Sequence, residues 1–372
     1  MRPDIIVIGG GTVGAAIAYG LAKKQQQVLL LDGDDGDFRA ARANFGLVWL
    51  QGKGLGMPAY QALTHDSIAL WRGFTNEIEA ETKIDLAYEQ NGGLAFCLGE
   101  KGFEQRRHDL MRLHNQRGEG APDWEMLDRS ALEHLLPKVT LGPKVTGASF
   151  GRHDGHANPL RLLAALHGAL LRHGGSIRHR ARVERIEPVG RDFRLILDDE
   201  ALIAPRIVIA AGLGSPPLAR QVGLEVPLRP ERGQVLVTER LAPFLPLPAS
   251  GLRQTGEGTV MIGATKDHPG FDVSTTAEAA AGLSRKTVEI VPALAQVRLV
   301  RQWAGLRIMT PDGYPIYAQS HSHPGAFVAL CHSGVTLAAF HAETLAGAIA
   351  AGTLPENLSP FHQRRFDVPQ AA

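Results

Sequence analysis

Cysteine is nearly missing from this sequence. Cys97 and Cys331 are far apart and form no CxxC. That excludes a disulfide scaffold, a zinc ribbon and an iron–sulfur site, and makes a reducing, cytoplasmic compartment the default. Charge of one sign is missing too, since 39 Lys and Arg stand against 38 Asp and Glu. The local basic residues Arg178, Arg180, Arg182 and Arg185 are interleaved with others, so no nucleic acid or other polyanion is expected as a partner. No long hydrophobic run is present. The charge-free stretch from Ile5 to Ala22 is broken by Gly9, Gly10, Gly11 and Gly14, and reads as strand, turn and helix rather than as a transmembrane segment or signal sequence. Metal ligation lacks support: His153 and His156 sit in a glycine-rich loop without a ligand set, and His321 and His323 read as a solvated turn. Nucleophilic hydrolysis is disfavoured, with no serine elbow expected.

What is present is a two-domain quantity of globular chain: 372 residues, 44% hydrophobic and 21% charged. It opens on a βαβ unit, with a buried strand Asp4–Ile8, a helix Val13–Lys24 and a second strand Val28–Leu31. Between strand and helix, Gly9-Gly10-Gly11-Thr12-Val13-Gly14 fits GxGxxG. Glycine there permits the tight turn, lets backbone approach a pyrophosphate and lets helix pack on strand, while the helix N-terminus offers free N–H groups. Asp32 ends the second strand, where a carboxylate accepts the hydroxyls of a ribose. Asp34, Asp35 and Asp37 read as solvated loop. The fingerprint leaves NAD and FAD open. Two features favour FAD: Gly212-Leu213-Gly214 is followed by Ser215-Pro216-Pro217 and cannot repeat the turn, and α/β texture returns in the middle and at the end of the chain.

Further along, Phe38–Pro58 is a loop whose Phe45, Leu47, Val48 and Trp49 argue against disorder. Ala59–Ala80 reads as a helix. Leu86–Leu98 reads as two strands around Asn91-Gly92-Gly93, followed by helices at Lys101–Arg117 and Leu127–Leu136. Asn158 and Pro159 fit the N-cap and first position of a helix. Strands are expected at Val183–Glu187, Phe193–Leu197, Ile207–Ala210, Gln234–Thr238, Thr259–Ile262 and Ala326–Leu330, with 226–300 strand-rich throughout. A small-residue helix, Thr336–Ala350, closes the pattern. The fold expected is α/β, in two domains each assembled from separated pieces.

Several separated motifs occur in one order: Gly9–Gly14 with Asp32, Arg42–Leu47, Gly155–Pro159, Ala210–Gly212, Arg232–Gln234, Ile262–Thr265, Trp303–Arg307 with Thr310–Gly313, and His332–Leu337. In these the chain resembles the D-amino-acid oxidase/glycine oxidase-type FAD oxidoreductases along nearly its full length. Within that family, residues 42–49 and 331–338 resemble the B subunits of opine (octopine or nopaline) oxidases, with the FAD subunits of hydrogen cyanide synthase and D-hydroxyproline dehydrogenase as relatives. The resemblance implies a Rossmann-type FAD-binding domain from 1–84, 145–225 and 321–372, and a mixed-sheet α+β substrate domain from 85–144 and 226–320. It implies non-covalent FAD held by Gly9, Gly11, Thr12, Val13, Gly14, Asp32, Ala43, Asn44, Gly46, Leu47, Val183, Ala211, Gly212, Arg307, Ser333, Gly334, Val335 and Thr336. It also implies a second flavoprotein subunit that takes the electrons onward, and a cytoplasmic place, peripheral to a membrane only through such a complex.

For chemistry, the resemblance implies Arg307 as the catalytic-site residue that grips the substrate carboxylate through two charge-assisted hydrogen bonds, with Thr265 and Tyr314 as further substrate-binding residues. Lys266 fits a solvated surface lysine or a cavity residue, Tyr314 and Tyr317 fit the cavity or ordinary half-buried packing, and His332 fits the flavin or a structural role. The reaction implied is oxidation of a C–N bond in an amino-acid-like secondary amine: hydride passes to flavin N5 and water hydrolyses the imine to a 2-oxo acid and an amine. Glycine, D-amino-acid or D-hydroxyproline oxidation is an alternative, as is a flavoprotein that only relays electrons or scaffolds a complex.

Overall fold

The computed structural model describes residues 2–33, 40–118, 120–198 and 200–367. The loop reading of Asp34, Asp35 and Asp37 falls outside them. Strand β1 (Ile5–Ile8) is wholly buried, α1 (Thr12–Lys23) follows the glycine turn, and β2 (Val28–Asp32) lies parallel to β1 with Ile5 opposite Val28. After β3 (Leu47–Val48) comes the long α2 (Pro58–Thr82). Next are β4 (Gly93–Leu98), α3 (Gly99–Arg117), β5 (Trp124–Asp128), α4 (Arg129–Leu135), β6 (Val145–Gly151) and β7 (Gly155–His156). Helix α5 (Pro159–Arg172) is capped as its sequence predicts: Asn158 Oδ1 accepts from the Leu160 and Arg161 N–H groups. Then follow β8 (Ser176–His179), β9 (Arg185–Val189), β10 (Asp192–Ile196), β11 (Ala201–Ala204), β12 (Ile207–Ile209) and α6 (Ser215–Arg220). The last third holds β13 (Arg229–Arg240), β14 (Leu252–Gln254), β15 (Thr259–Gly263), α7 (Ala277–Ile290), β16 (Leu299–Met309), β17 (Ile316–Gln319) and β18 (Ala326–Leu330). Helix α8 (Ala338–Phe340) runs through a π turn, His341–Leu345, into α9 (Ala346–Ala351).

One sheet has the order β17-β18-β12-β1-β2-β8 and is parallel except at its β17 edge. Apolar clusters cover both of its faces, which explains why β1 and β12 are apolar without alternation. A second sheet runs β14-β15-β13-β16, and a third runs β4-β6-β5; a bridge from Leu94 to Ala249 joins them over a third core. Sorted by sheet, residues 145–151 go with the third sheet and 316–319 with the first.

Several elements differ from expectation. Only β4 forms within 86–98, because Asp85 Oδ1 accepts from the Ala87 N–H and Ala87 turns to φ +48. The segment 127–136 divides into the end of β5 and α4, with Asp128 capping the helix. Val183 precedes β9, outside any strand. Helix α7 interrupts a region expected to be strands, since Thr276 Oγ1 accepts from the Ala279 N–H and Ala277–Ala281 favours helix. Among the described residues no helix is long and apolar enough to cross a membrane.

Candidate functional site

The glycine turn is sized for bare backbone. A Cβ on Gly14 would lie 2.0 Å from Gly9 O, and one on Gly10 would lie 2.8 Å from Asp32 Cγ. Gly9 takes φ +112 and presses on Ala210 and Ala211, while Gly212 turns at φ +56. Gly11 caps α1 without a side-chain bond, and among the described residues the buried Thr12 hydroxyl has no partner. Gly10 N–H donates to Asp32 at 3.4 Å, and Ala181 N–H donates to Asp32 O, which brings the Val183 segment beside the end of β2.

The far end of the chain closes on this turn. A Cβ on Gly334 would be 3.3 Å from Val13 and 3.8 Å from Thr12. The closing turn is clamped from behind: Trp71 Nε1 and Ser67 Oγ donate to Thr336 O, and Thr336 Oγ1 accepts from the Trp49 N–H. No acceptor among the described residues takes the N–H groups of Gly334, Val335 and Thr336. Ser333 Oγ accepts from both Lys53 Nζ at 2.8 Å and Tyr60 Oη at 2.9 Å. Its own proton is left to donate.

Between this turn and the second sheet lies a cavity of about 460 Å³, within the range of small-molecule sites. Arg307 reaches it from β16, directly opposite Glu231 on β13. Its Nη1 donates to Glu231 Oε1 at 3.1 Å, and among the described residues Nε and Nη2 have no acceptor. The guanidinium lies over Gly233, where a Cβ would come within 2.6 Å of Nη2. His332 sits deep in the protein yet stays open, because the void faces it. Burial, then Lys53, Arg307 and Lys266, push its imidazole toward the neutral form.

The sequence profile of the family described as FAD dependent oxidoreductase (DAO) matches residues 4–348. The chain belongs to the FAD-dependent oxidoreductase family. It is 43% identical over 368 residues to the B subunit of the opine oxidase of Rhizobium meliloti, covering 99% of both chains. It is 27% identical over 412 residues to hydrogen cyanide synthase subunit HcnC of Pseudomonas aeruginosa, covering 99% of this chain and 97% of that one. The solved glycine oxidase of Geobacillus kaustophilus superposes with a TM-score of 0.88 at 25% identity, over 98% and 99% of the two chains. FAD is therefore the cofactor. The residues fit it: a backbone-wide turn at an uncapped helix N-terminus suits a pyrophosphate, and the three free N–H groups beside a ligand-sized void suit a group that gains negative charge.

In this FAD-dependent oxidoreductase, Ala43, Asn44, Leu47, Arg307, Ser333, Val335 and Thr336 share the cavity walls. Gly9, Gly11, Thr12, Val13, Gly14 and Asp32 gather at the first turn, with Ala211 against it and Gly212 the next residue, facing Ile308. Gly46 sits behind the wall at φ +89, where its N–H donates to Asn44 Oδ1. Thr265 and Tyr314 are not brought into the lining. Thr265 Oγ1 donates to Asp267, and Tyr314 Oη donates to Leu55 O beside Tyr60. Tyr317 is core, bonded to His341. Lys266 does line the cavity, as do Lys53 and Lys286; sequence reasoning did not single out the latter two, which lie in a loop and in the unexpected α7. One further correction concerns serine. Gly147-Ala148-Ser149-Phe150-Gly151 spells a nucleophile-elbow pattern, but it runs straight through β6, with Ser149 Oγ held by Gln51 and Arg106. It lacks the strand-to-helix turn an elbow needs.

Proposed function

We propose that this chain oxidises the C–N bond of an amino-acid-like secondary amine of opine type, giving an imine that water hydrolyses to a 2-oxo acid and an amine. The observation that supports it is Arg307, with two unused donor groups on the wall of the FAD-family cavity. A guanidinium so placed takes a carboxylate and fixes the adjacent α-carbon. When bound, FAD accepts the hydride that leaves that carbon. The chain adds electrostatics. Lys53, Lys266, Lys286 and Arg307 line the cavity, and no Asp or Glu is among the described lining residues. Such a field disfavours a protonated amine and so keeps a nitrogen lone pair available to push electrons. The N–H groups of Gly334, Val335 and Thr336 stabilise negative charge at the closing turn. Because the relative of 43% identity is named as a subunit, we also infer a second subunit that receives the electrons.

The test is anaerobic mixing of the purified yellow protein with opines, glycine, D-amino acids and hydroxyproline, reading flavin absorbance. An opine-type amine bleaches it fastest, and Arg307→Ala slows that bleaching by about 100-fold or more, the loss of a bidentate charged contact. Full bleaching in Arg307→Ala would remove Arg307 from the substrate site.

A further inference from the structure

Two donors converge on one serine oxygen at the closing turn. Lys53 Nζ lies 2.8 Å from Ser333 Oγ, and Tyr60 Oη lies 2.9 Å from it. An ammonium group can only donate, and a serine oxygen has two lone pairs to accept with. Both lone pairs are taken, so the one free function of Ser333 is its proton. Among the described residues no acceptor takes that proton. Ser333 lies on the cavity wall next to the free N–H groups of Gly334, Val335 and Thr336, so its hydroxyl adds a fourth donor to theirs.

The two donors are themselves fixed. Lys53 rides on the segment 50–57, which is pinned on both sides. Ahead of it, the Leu50 and Gln51 N–H groups donate to Asp154 Oδ1. Beyond it, Gln116 Nε2 donates to Gly54 O, the Gly56 N–H donates to Gln116 Oε1, and Tyr314 Oη donates to Leu55 O. Tyr60 stands in the first turn of α2, buried, with its ring 5.4 Å from that of Tyr314. Among the described residues its hydroxyl bonds to Ser333 alone. Tyr60 is not on the cavity wall, whereas Lys53 is. Donation to an oxygen polarises its own O–H and strengthens it as a donor, more so when one of the donors is charged.

We propose that Tyr60 and Lys53 are positioning residues that act through Ser333, locking its hydroxyl as a donor toward the bound flavin and so raising the flavin's reduction potential. A reduced ring carries added negative charge and takes such a hydrogen bond more strongly than an oxidised one. Tyr60 acts only through the serine. Lys53 acts through it and adds its own charge from the wall. The inference needs the family's FAD and no particular substrate.

The test is anaerobic titration of the FAD-loaded protein with dithionite beside an indicator dye, which reads the potential without any substrate. Its outcome is therefore separate from that of the amine-oxidation reading. Tyr60→Phe keeps the ring and every charge and removes one donor. It lowers the preference for reduced over oxidised flavin by about 10-fold, the size of one hydrogen bond, or about 30 mV for a two-electron couple. FAD content stays normal. Ser333→Ala lowers the potential at least as far, and in that background Tyr60→Phe changes nothing further. Lys53→Met shifts the potential more in wild type than in Ser333→Ala, and the difference is the share carried by the serine. If Ser333→Ala does not hold FAD, Ser333→Cys supplies the same cycle, since a thiol is a weak donor and acceptor. An unchanged potential in Tyr60→Phe overturns the proposal. So does an equal shift with and without the Ser333 hydroxyl, which would make Tyr60 a packing residue. Loss of FAD from Tyr60→Phe overturns it too, by making the tyrosine a structural support of the site.

Discussion

At the scale of single residues, the site depends on what is small as much as on what is charged. Gly233 leaves room for Arg307 to lie flat across the sheet, since an added Cβ would sit 2.6 Å from Nη2. Gly233→Ala therefore lifts the guanidinium without removing it. Affinity for carboxylate ligands falls about 10-fold or more while FAD content stays normal, measured by titrating the flavin spectrum with an unreactive carboxylate; unchanged affinity would sink this account. Asp154 offers a second residue-scale prediction. Burial pushes its carboxyl up to about 7, against N–H donations from Leu50 and Gln51, and among the described residues Oδ2 has no partner. A carboxyl whose folded pKa is raised contributes stability that is complete below the ordinary carboxylate range and is lost as pH climbs through about 7. Asp154→Asn cannot titrate, so its Tm rises relative to wild type between about pH 4 and about pH 7 and the difference levels off above that. A pH-independent difference in Tm would show that the carboxyl is charged throughout. Residue types of this kind were partly legible: Arg307 and Gly233 sit in recognisable motifs, whereas nothing local in the sequence marks Lys53, which acquires its role only when Ser333 arrives from 280 positions away.

At the scale of elements, the closing turn shows how a helix elsewhere shapes the cavity wall. Thr336 O is held by Ser67 and Trp71 of α2, so that carbonyl is taken and the turn's N–H groups stay free. Trp71→Phe keeps the ring and removes the donor. The expected cost is about 1 kcal/mol in stability, with faster FAD loss on dilution, read by flavin fluorescence. A variant that holds FAD as tightly as wild type would show that the clamp does not matter. Capped or fully buried elements were the ones the sequence announced: β1, α1, β2, α5 and β18 stand close to expectation. Elements decided by long-range partners were not. Helix α7 has sparse apolar residues, and Thr276 both caps it and bonds to Gln234 on β13. The last helix begins at Ala338 rather than Thr336, because residues 333–337 are drawn into the clamp.

At the scale of the molecule, the two ends of the chain pack against each other, and their contact has no slack. Gly20 of α1 faces the π turn of the closing helix so closely that a Cβ would lie 1.9 Å from Ala342 O. Gly14 is as crowded, at 2.0 Å from Gly9 O, but its crowding lies inside the glycine turn itself. The two glycines therefore separate assembly from binding. Gly20→Ala forces the helices apart, an overpacking cost of about 1 to 3 kcal/mol, while leaving the turn's shape intact. Any ligand that binds only the folded form stabilises it by mass action, by about 2.7 kcal/mol at 100 times its Kd. Excess FAD should thus restore much of the Tm lost in Gly20→Ala and little of that lost in Gly14→Ala, whose turn no longer admits a pyrophosphate. Thermal melts of both variants with and without added FAD measure this. If FAD rescues Gly14→Ala as well as Gly20→Ala, the first turn is not where the dinucleotide binds, and the assignment of residues 9–14 to the phosphates falls with it.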